Sequence, residues 1–421
     1  MSTLEIRRTI QRRTVAILAI ATILGGLGIG ASFSAGALLI ADITGNPAIS
    51  GLASTLSTAG AAAAGIPLAR LAMRKGRRIA LATGNLIALC GAITVILAAA
   101  LPAASLLFIG LMLLGVGSAV QLQSRFAAAD LATKKTRSRD LSLVVWSITI
   151  GAVTGPNLLA PGAWLGERIG IPELSGVFVF AAVAQLLAGL VVWIMLRPDP
   201  LLTAQASVAS TGVDTGATVL QTAALRREAS IRQFAVITAI AMAHATMVGL
   251  MAMTPLHLRD HGASVTFIGF TISLHIAGMY ALSPLAGLLA GKIGARPVMV
   301  LGFVILGISA VGTATAGENS TLIQIALTLV GLGWCAVTVA GASLLTELTP
   351  NSIRPKRQGQ SDTIMNIAGA AFGAVSGLFF SAGGFPLLSV IAGALMVVGV
   401  VATIRSGSTA TNAGNDRAPV E

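Results

Sequence analysis

Two histidines lie inside long apolar stretches of this sequence, where an ionisable side chain is unusual. They are His244 and His275. Because histidine titrates near physiological pH, either residue could carry a proton or bind a ligand. Met247 and Met251 follow His244 at helical spacing, so a helix would place all three on one face. Such a face would be an adaptable apolar wall with one titratable group. The alternative for each histidine is a structural hydrogen bond to a neighbouring helix.

Further polar and aromatic residues interrupt the apolar stretches. Trp334 could stack on a planar or cationic ligand, or it could pack between helices. The other candidates for a binding cavity are Gln121, Gln185 and Tyr280. No acid, base and nucleophile occur together, so we predict that the protein is not an enzyme. No phosphate-binding loop or paired metal-ligand motif occurs, so we predict no cofactor and no metal.

The composition indicates which elements position these residues. Of 421 residues, 55% are hydrophobic and only 10% are charged, whereas an average soluble domain has about 25% charged residues. This excludes a soluble globular protein. A membrane-spanning helix needs roughly 20 apolar residues, and twelve such helices would occupy about 260 residues. We therefore predict an all-α polytopic membrane protein with twelve transmembrane helices.

The positions of the basic residues predict the topology. Of the 27 lysines and arginines, 25 fall in the two tails and in alternate loops, and the other set of loops holds only Arg168 and Arg259. Because positive charge marks cytoplasmic loops, both termini are predicted to be cytoplasmic. The net charge of +12 is then explained by basic loops that lie against the anionic inner leaflet of the lipid bilayer. Nucleic acid is not expected as a partner. The predicted units are a first six-helix bundle (1–196), a flexible cytoplasmic linker (197–232), a second bundle (233–404) and a disordered cytoplasmic tail (405–421).

The two predicted bundles resemble each other in sequence. Gly115-Val-Gly117 matches Gly331-Leu-Gly333, and Gly151-Ala-Val-Thr-Gly155 matches Gly373-Ala-Val-Ser-Gly377. The offsets are close to half the chain length, which indicates a duplicated six-helix unit. Parallel repeats of this kind are typical of transporters that bind their substrate near the bilayer midplane.

The segment between helices 2 and 3 carries a family resemblance. Ala69-Arg-Leu-Ala-Met-Arg-Lys-Gly-Arg-Arg78 resembles the signature G-x-L-A-D-R-x-G-R-R of the major facilitator superfamily, with Met73 at the acidic position. Gly287 to Arg296 resembles a second copy, with Gly291 at that position. The resemblance implies a latch that holds the cytoplasmic side closed, although simple anchoring of positive charge is the alternative. Its expected members are Arg74, Gly76, Arg78, Lys292, Gly294, Arg296, Arg125, Asp140 and Asp362.

Two acidic members of this set each have two possible roles. Asp140 and Asp362 precede helices 5 and 11, where aspartate is a good N-cap. The alternative is that they pair with cations such as Arg125 or Arg139.

Helix 5 carries a second resemblance. Gly151, Gly155 and Pro156 resemble the motif G-x-x-x-G-P of exporters in this family that act as antiporters. Leu159 and Ala160 depart from the rest of that motif. Small residues four positions apart let helices pack closely, and a proline kinks the helix. Generic packing is the alternative.

The resemblance implies a secondary active transporter that works by alternating access in the cytoplasmic (plasma) membrane of a bacterium. We favour proton-coupled efflux of apolar or cationic compounds, with the proton gradient as the energy source. Proton-coupled uptake or a dedicated metabolite carrier is the alternative, and a non-transporting membrane sensor is a more distant one. The expected partners are a small-molecule substrate, protons and lipid. A monomer suffices because one chain contains both bundles.

Overall fold

The computed structural model describes residues 3–45, 52–133, 135–210, 223–350 and 352–407, and its regular structure in these ranges is helical. Apart from a short 3-10 turn at Glu173–Ser175, the elements are α1 (Thr3–Thr44), α2 (Leu52–Ala100), α3 (Ala104–Ala127), α4 (Arg137–Asn157), α5 (Leu159–Ile169), α6 (Gly176–Met195), α7 (Pro200–Ser210), α8 (Ala223–Asp260), α9 (Val265–Tyr280), α10 (Ser283–Ile293), α11 (Ala295–Thr315), α12 (Ser320–Leu348) and α13 (Arg354–Arg405).

In the part of the chain that the structure describes, these helices are long and apolar enough for twelve membrane crossings. Among the described residues, nine helical segments are long and apolar enough to cross a membrane, and the pair α4–α5, bent by 57°, makes a tenth. The two longest helices, α2 with 49 residues and α13 with 52, each exceed the length of two crossings of about 20 residues. Gly76 (φ 86°) interrupts α2 and Gly384 (φ 62°) interrupts α13, so each forms two crossings. The predicted all-α polytopic fold is confirmed.

The helices form two bundles with separate cores. Helices α1 to α6 pack mainly on one another, and α8 to α13 do the same. The largest buried apolar cluster belongs wholly to the second bundle, and two others belong to the first. We call these bundles the N half and the C half.

Glycines let the helices of the N half touch through their backbones. A side-chain carbon at Gly115 would collide with the backbone of Ser57, and one at Gly91 would collide with the backbone of Leu114. Such contacts join the two parts of α2 to α3. Apolar side chains gain little from leaving lipid, so close packing of this kind is a main source of helix association in membranes.

The halves meet along α2 with α13 and along α4 with α9, α10 and α12. Hydrogen bonds between described residues cross this seam, and they lie toward one end of the molecule. At that end α1 begins, α3 ends, and α13 both begins and ends. We call it the basic end, because its connections carry most of the lysines and arginines. The crossing bonds are Arg77–Gln358, Arg125–Asp362, Ser138–Ser343, Ser283–Ser142 and Thr363–Ala62.

An apolar cluster closes the seam at the same end. Phe126, Leu141 and Val145 of the N half pack with Cys335 and Val339 of the C half. The cluster and the hydrogen bonds together hold the halves in contact at the basic end. The prediction that this end faces the cytoplasm stays a prediction.

The predicted linker contains regular structure. Asp199 accepts hydrogen bonds from the backbone of Leu201 and Leu202 at 3.0 and 3.2 Å, and so caps the start of α7. The first part of the segment predicted to be flexible is therefore a helix. Residues 211–222, and residues 408–421 of the predicted tail, lie outside the described residues.

Candidate functional site

Three aromatic side chains of the C half form a cluster from separate helices. Trp334 on α12 donates a hydrogen bond from Nε1 to His244 Nδ1 on α8 at 2.9 Å. Tyr280, at the end of α9, meets the Trp334 ring edge-on, with centroids 5.8 Å apart and an interplanar angle of 88°. Because Nδ1 accepts this bond, a neutral His244 carries its proton on Nε2. The structure thus brings together three residues that the sequence marked as cavity candidates.

One face of α13 connects this cluster to an acidic residue. Asn366 donates a hydrogen bond to the backbone carbonyl of Asp362, one turn before it, at 2.8 Å. Gly369 lies against His244, and a side-chain carbon at this position would collide with the imidazole. Asp362 and Gly369 are seven residues apart, which corresponds to about 10 Å along a helix. Glycine at position 369 therefore lets the imidazole pack on the face of α13 that carries Asp362.

Asp362 forms a buried ion pair across the seam. Arg125 Nη2 on α3 lies 2.7 Å from Asp362 Oδ1, and the two side chains are 2% and 1% exposed. Arg125 also lies over the ring of Phe126, 4.8 Å from its centroid. Asp362 Oδ2 and Arg125 Nε have no hydrogen-bond partner among the described residues. Burying both charges is costly, and the loss of either one would leave the other uncompensated.

The ion pair corrects the expectation that Asp362 is an N-cap. Helix α13 begins at Arg354, eight residues earlier, and its N-cap position is Ile353. Asp140 lies within the first turn of α4, whose first residue is Arg137. It pairs with Arg139 at 3.0 Å and accepts a hydrogen bond from Gln11 at 2.8 Å. Both carboxylates are therefore in ion pairs, and only that of Asp362 crosses the seam.

The remaining cavity candidates of the C half lie elsewhere. His275 is fully buried between α9 and α12, and its Nδ1 lies 2.8 Å from the carbonyl oxygen of Leu327. Its Nε2 has no partner among the described residues. Met247 lies in the core of the C half, and Met251 packs against that core. No described hydrogen bond or ring contact joins these three residues to the His244 cluster.

The two glutamines of the N half converge on α1. Gln185 Nε2 on α6 donates a hydrogen bond to the carbonyl oxygen of Gly25 at 3.4 Å. The amide of Gln121 on α3 also lies against Gly25, and neither its nitrogen nor its oxygen has a partner among the described residues. The glutamines therefore form a polar site inside the N half, separate from the His244 cluster.

The turn within α2 uses a residue that the sequence reasoning did not select. Arg77 is 1% exposed and pairs with Asp130 at 2.9 Å. It also donates a hydrogen bond to Gln358 at 2.5 Å across the seam. Burial raises the pKa of the Asp130 carboxyl above its ordinary value, against the opposing effect of Arg77. The signal was available, because Arg77 belongs to the signature and Asp130 follows α3, but spacing alone could not join them.

The residues of the same turn that were predicted to belong to the latch have other partners. Arg78 donates its backbone N–H to Asp199 Oδ2 at 2.8 Å, and its guanidinium lies over the ring of Trp193. Gly76 adopts its positive φ beside the same aspartate. Arg74 is exposed. Asp199 thus supplies at this turn an acidic partner, where the signature position itself holds Met73.

The second copy of the signature lies within the C half. Gly294 (φ 93°) separates α10 from α11, and Arg296 donates a hydrogen bond to the carbonyl oxygen of Ser406 at 3.0 Å. Lys292 is exposed in the last turn of α10. In this copy it is Gly287 that reaches the seam, where it lies against Ser142.

The motif of helix 5 packs against α1. A side-chain carbon at Gly151 would collide with the carbonyl of Ile23 and with Gly26. Gly155 is buried, and α4 ends at Asn157, the residue after Pro156. The 57° bend to α5 follows there. The described residues contain no cluster of three or more residues that could hold a metal ion.

Comparison with known proteins identifies the architecture. The family profile of the Major Facilitator Superfamily matches residues 18–262 and 234–419. The uncharacterised MFS-type transporter YdeG of Bacillus subtilis is 36% identical over 400 residues, 94% of this chain and 93% of that protein. The riboflavin transporter RfnT of Brucella anthropi is 30% identical over 377 residues, 89% of each. The structure of FucP in its outward conformation superposes with a TM-score of 0.70 at 15% identity, covering 94% of this chain and 99% of that one.

Proposed function

Because this chain belongs to the major facilitator superfamily, and is a secondary carrier rather than an enzyme, we propose that it couples substrate uptake to protons through Asp362. The observation that carries the proposal is the buried Arg125–Asp362 pair, which joins the halves at 2.7 Å. Alternating access requires that such a contact form in one state and break in the other. A proton on Asp362 would change the strength of this contact.

The coupling follows from the charge balance of the pair. With Asp362 ionised, each charge compensates the other inside the seam. Protonation of Asp362 removes that compensation and leaves the Arg125 cation buried, which favours separation of the halves and access of water to the arginine. His244 on α8 packs against the same face of α13, next to Gly369, and is the titratable group that would pass the proton to Asp362. If the basic end faces the cytoplasm, substrate and proton enter from outside and leave inside.

The substrate class is proposed from the aromatic cluster. Tyr280 packs against the apolar cluster at the seam and meets the buried Trp334 at a right angle, and Trp334 is hydrogen-bonded to a histidine. Aromatic rings of this kind bind planar ligands by stacking and edge contacts. The similarity to a riboflavin transporter over 89% of both chains supports the same class. The substrate is then a planar, heteroaromatic metabolite of the flavin type.

Export of apolar or cationic compounds is the second candidate. It is favoured by the close packing of Gly151 on Gly26, which gives the exporter-like motif of helix 5 a defined partner in α1. An exporter would move substrate against the proton flow, whereas the proposed symporter moves both in one direction. A non-transporting sensor on this fold would bind ligand without flux.

Transport by the purified protein in liposomes separates these candidates. Riboflavin and the lipophilic cation tetraphenylphosphonium are the two probes, each followed with and without an imposed proton gradient. The proposal expects riboflavin to accumulate in the direction of the proton gradient. Asp362→Asn should abolish this gradient response, and Arg125→Gln/Asp362→Asn should retain exchange of substrate across the membrane without it. Asp140→Asn, which removes a carboxylate paired within the N half, is the matched control and should keep the gradient response.

Three results would count against the proposal. Movement of tetraphenylphosphonium against the proton gradient, with no flux of riboflavin, would favour the exporter. Binding without flux of either probe would favour a sensor. A gradient response that survives in Asp362→Asn would remove Asp362 from the coupling step.

A further inference from the structure

A cleft of about 300 Å³ lies between the halves at the basic end. Helix α2 forms one wall, and the start of α13 forms the other. The residues that line it are Ile66, Arg70, Met73, Arg74, Lys356 and Gln360. Because its walls belong to different halves, the shape of the cleft depends on whether the halves are in contact at this end.

The cleft contains three cations and no acid. Arg70, Arg74 and Lys356 are exposed, and none of them forms an ion pair among the described residues. The neighbouring cations differ, since Arg77 and Arg125 are each paired with a buried aspartate. Contact between the halves brings Lys356 close to the two arginines, so like charges oppose the closed state here.

Met73 explains why the positive charge of the cleft is not compensated. It lies in the lining, at the position where the signature of helices 2 and 3 has an aspartate. A carboxylate there would neutralise one of the three cations. Asp199, which supplies an acidic partner at this turn, is held instead by the backbone of Arg78 and by the start of α7.

We propose that this cleft binds a phosphate group, which bridges Arg70 and Arg74 of the N half and Lys356 of the C half. A phosphate carries up to two negative charges and several acceptor oxygens, so it matches cations that converge from two sides. It binds the closed arrangement, where all three cations meet, more tightly than the open one. The bound group therefore stabilises the state that is closed at the basic end, independently of how the carrier is coupled to protons.

The size of the effect follows from linkage. If only the closed state binds, phosphate at ten times its dissociation constant raises the ratio of closed to open molecules about elevenfold. The group can come from a soluble phosphate or from the headgroup of an anionic phospholipid. Both sources share this chemistry, and the lipid composition of the sample distinguishes them.

Distance measurements between spin labels at Lys75→Cys and Ser352→Cys test the proposal, because both residues are exposed and lie on opposite sides of the seam. Cys90→Ala removes the exposed native thiol, and Cys335 is buried. The full chain is placed in phosphatidylcholine nanodiscs with inorganic phosphate, or with potassium chloride at equal ionic strength. A second set of nanodiscs contains phosphatidylglycerol and no added phosphate.

We expect phosphate, phosphatidylglycerol or both to increase the population of short distances, and chloride to have no such effect. Met73→Asp and Lys356→Gln should each abolish the increase, while Lys135→Gln, which removes an exposed lysine outside the cleft, should retain it. A response to phosphatidylglycerol alone identifies the lipid as the source, and a response to phosphate shows that a soluble group suffices. The absence of any response, an equal response to chloride, or a response unchanged in Met73→Asp and Lys356→Gln would overturn the proposal.

Discussion

Removing one partner of the Arg125–Asp362 pair should open the basic end. Removing both should largely restore the wild-type ratio of closed to open molecules. Asp362→Asn leaves the Arg125 guanidinium in a site where it is only 2% exposed. Arg125→Gln leaves the Asp362 carboxylate in the same position. In either case the closed state holds one uncompensated charge, whereas the open state exposes that charge to water. The double variant Arg125→Gln/Asp362→Asn has no charge to bury.

The magnitude follows from the burial of the pair. Loss of one partner of a buried ion pair costs about 3–5 kcal/mol. At 1.36 kcal/mol for each factor of ten, this would change the ratio of closed to open molecules by roughly two to four powers of ten. Replacement of both charges is commonly close to neutral. The effect of the double variant should therefore fall short of the sum of the single effects by more than about 3 kcal/mol.

The spin-label pair at positions 75 and 352 measures the populations directly. Each single variant should change the distribution from mainly short to mainly long distances, and the double variant should return it toward the wild type. Single variants that remain mainly closed would show that the pair does not hold the seam. Effects that simply add in the double variant would show that the two residues act separately.

Three further predictions concern other contacts. Gly287→Ala should prevent closure of the seam because its new methyl group would collide with Ser142, whereas Gly291→Ala on the same helix meets open space and should behave as the wild type in the same distance measurement. Trp334→Phe should leave the Nδ1 of His244 without its hydrogen-bond donor, at a cost of about 1–3 kcal/mol. The KM for substrate should therefore rise, and an unchanged KM would show that this hydrogen bond does not contribute to substrate binding. Burial raises the pKa of the Asp130 carboxyl in the folded protein. The stabilisation that this shift contributes to the free energy of unfolding is fully present below the unfolded pKa of about 3.9. It is lost as pH rises through the folded pKa. Asp130→Asn should remove this pH dependence from thermal unfolding in detergent, and a profile that keeps the wild-type shape would contradict the assignment.

The fold was predictable because its signals are local and cumulative. The number of apolar stretches, the 25 basic residues on one set of loops and the internal repeat each depend on neighbours in the chain. They led to twelve crossings in two halves without knowledge of any long-range contact. The helical start of the linker was missed because a single residue, Asp199, caps it. A proline-containing polar segment gives little sign of such a cap.

The site was predictable only in part, since its contacts join residues far apart in sequence. His244, Trp334 and Tyr280 were selected singly, as polar or aromatic residues in apolar helices, and the structure brings them together. Asp362 was expected at a helix end because N-capping is a local rule, but α13 begins two turns earlier. Its pairing with Arg125 joins residues 237 positions apart. No periodicity in the sequence encodes that distance.

The glycine contacts within the N half also determine how that half can move. Where Gly115 meets the backbone of Ser57, and Gly151 meets that of Ile23, no flexible side chain separates the helices. The backbones cannot slide past one another without collision, so the half turns as a stiff lever. A rotation of about 15°, a size known for subunit rotations, would displace the far end of a helix about 30 Å long by about 8 Å. A planar metabolite could pass through an opening of that width.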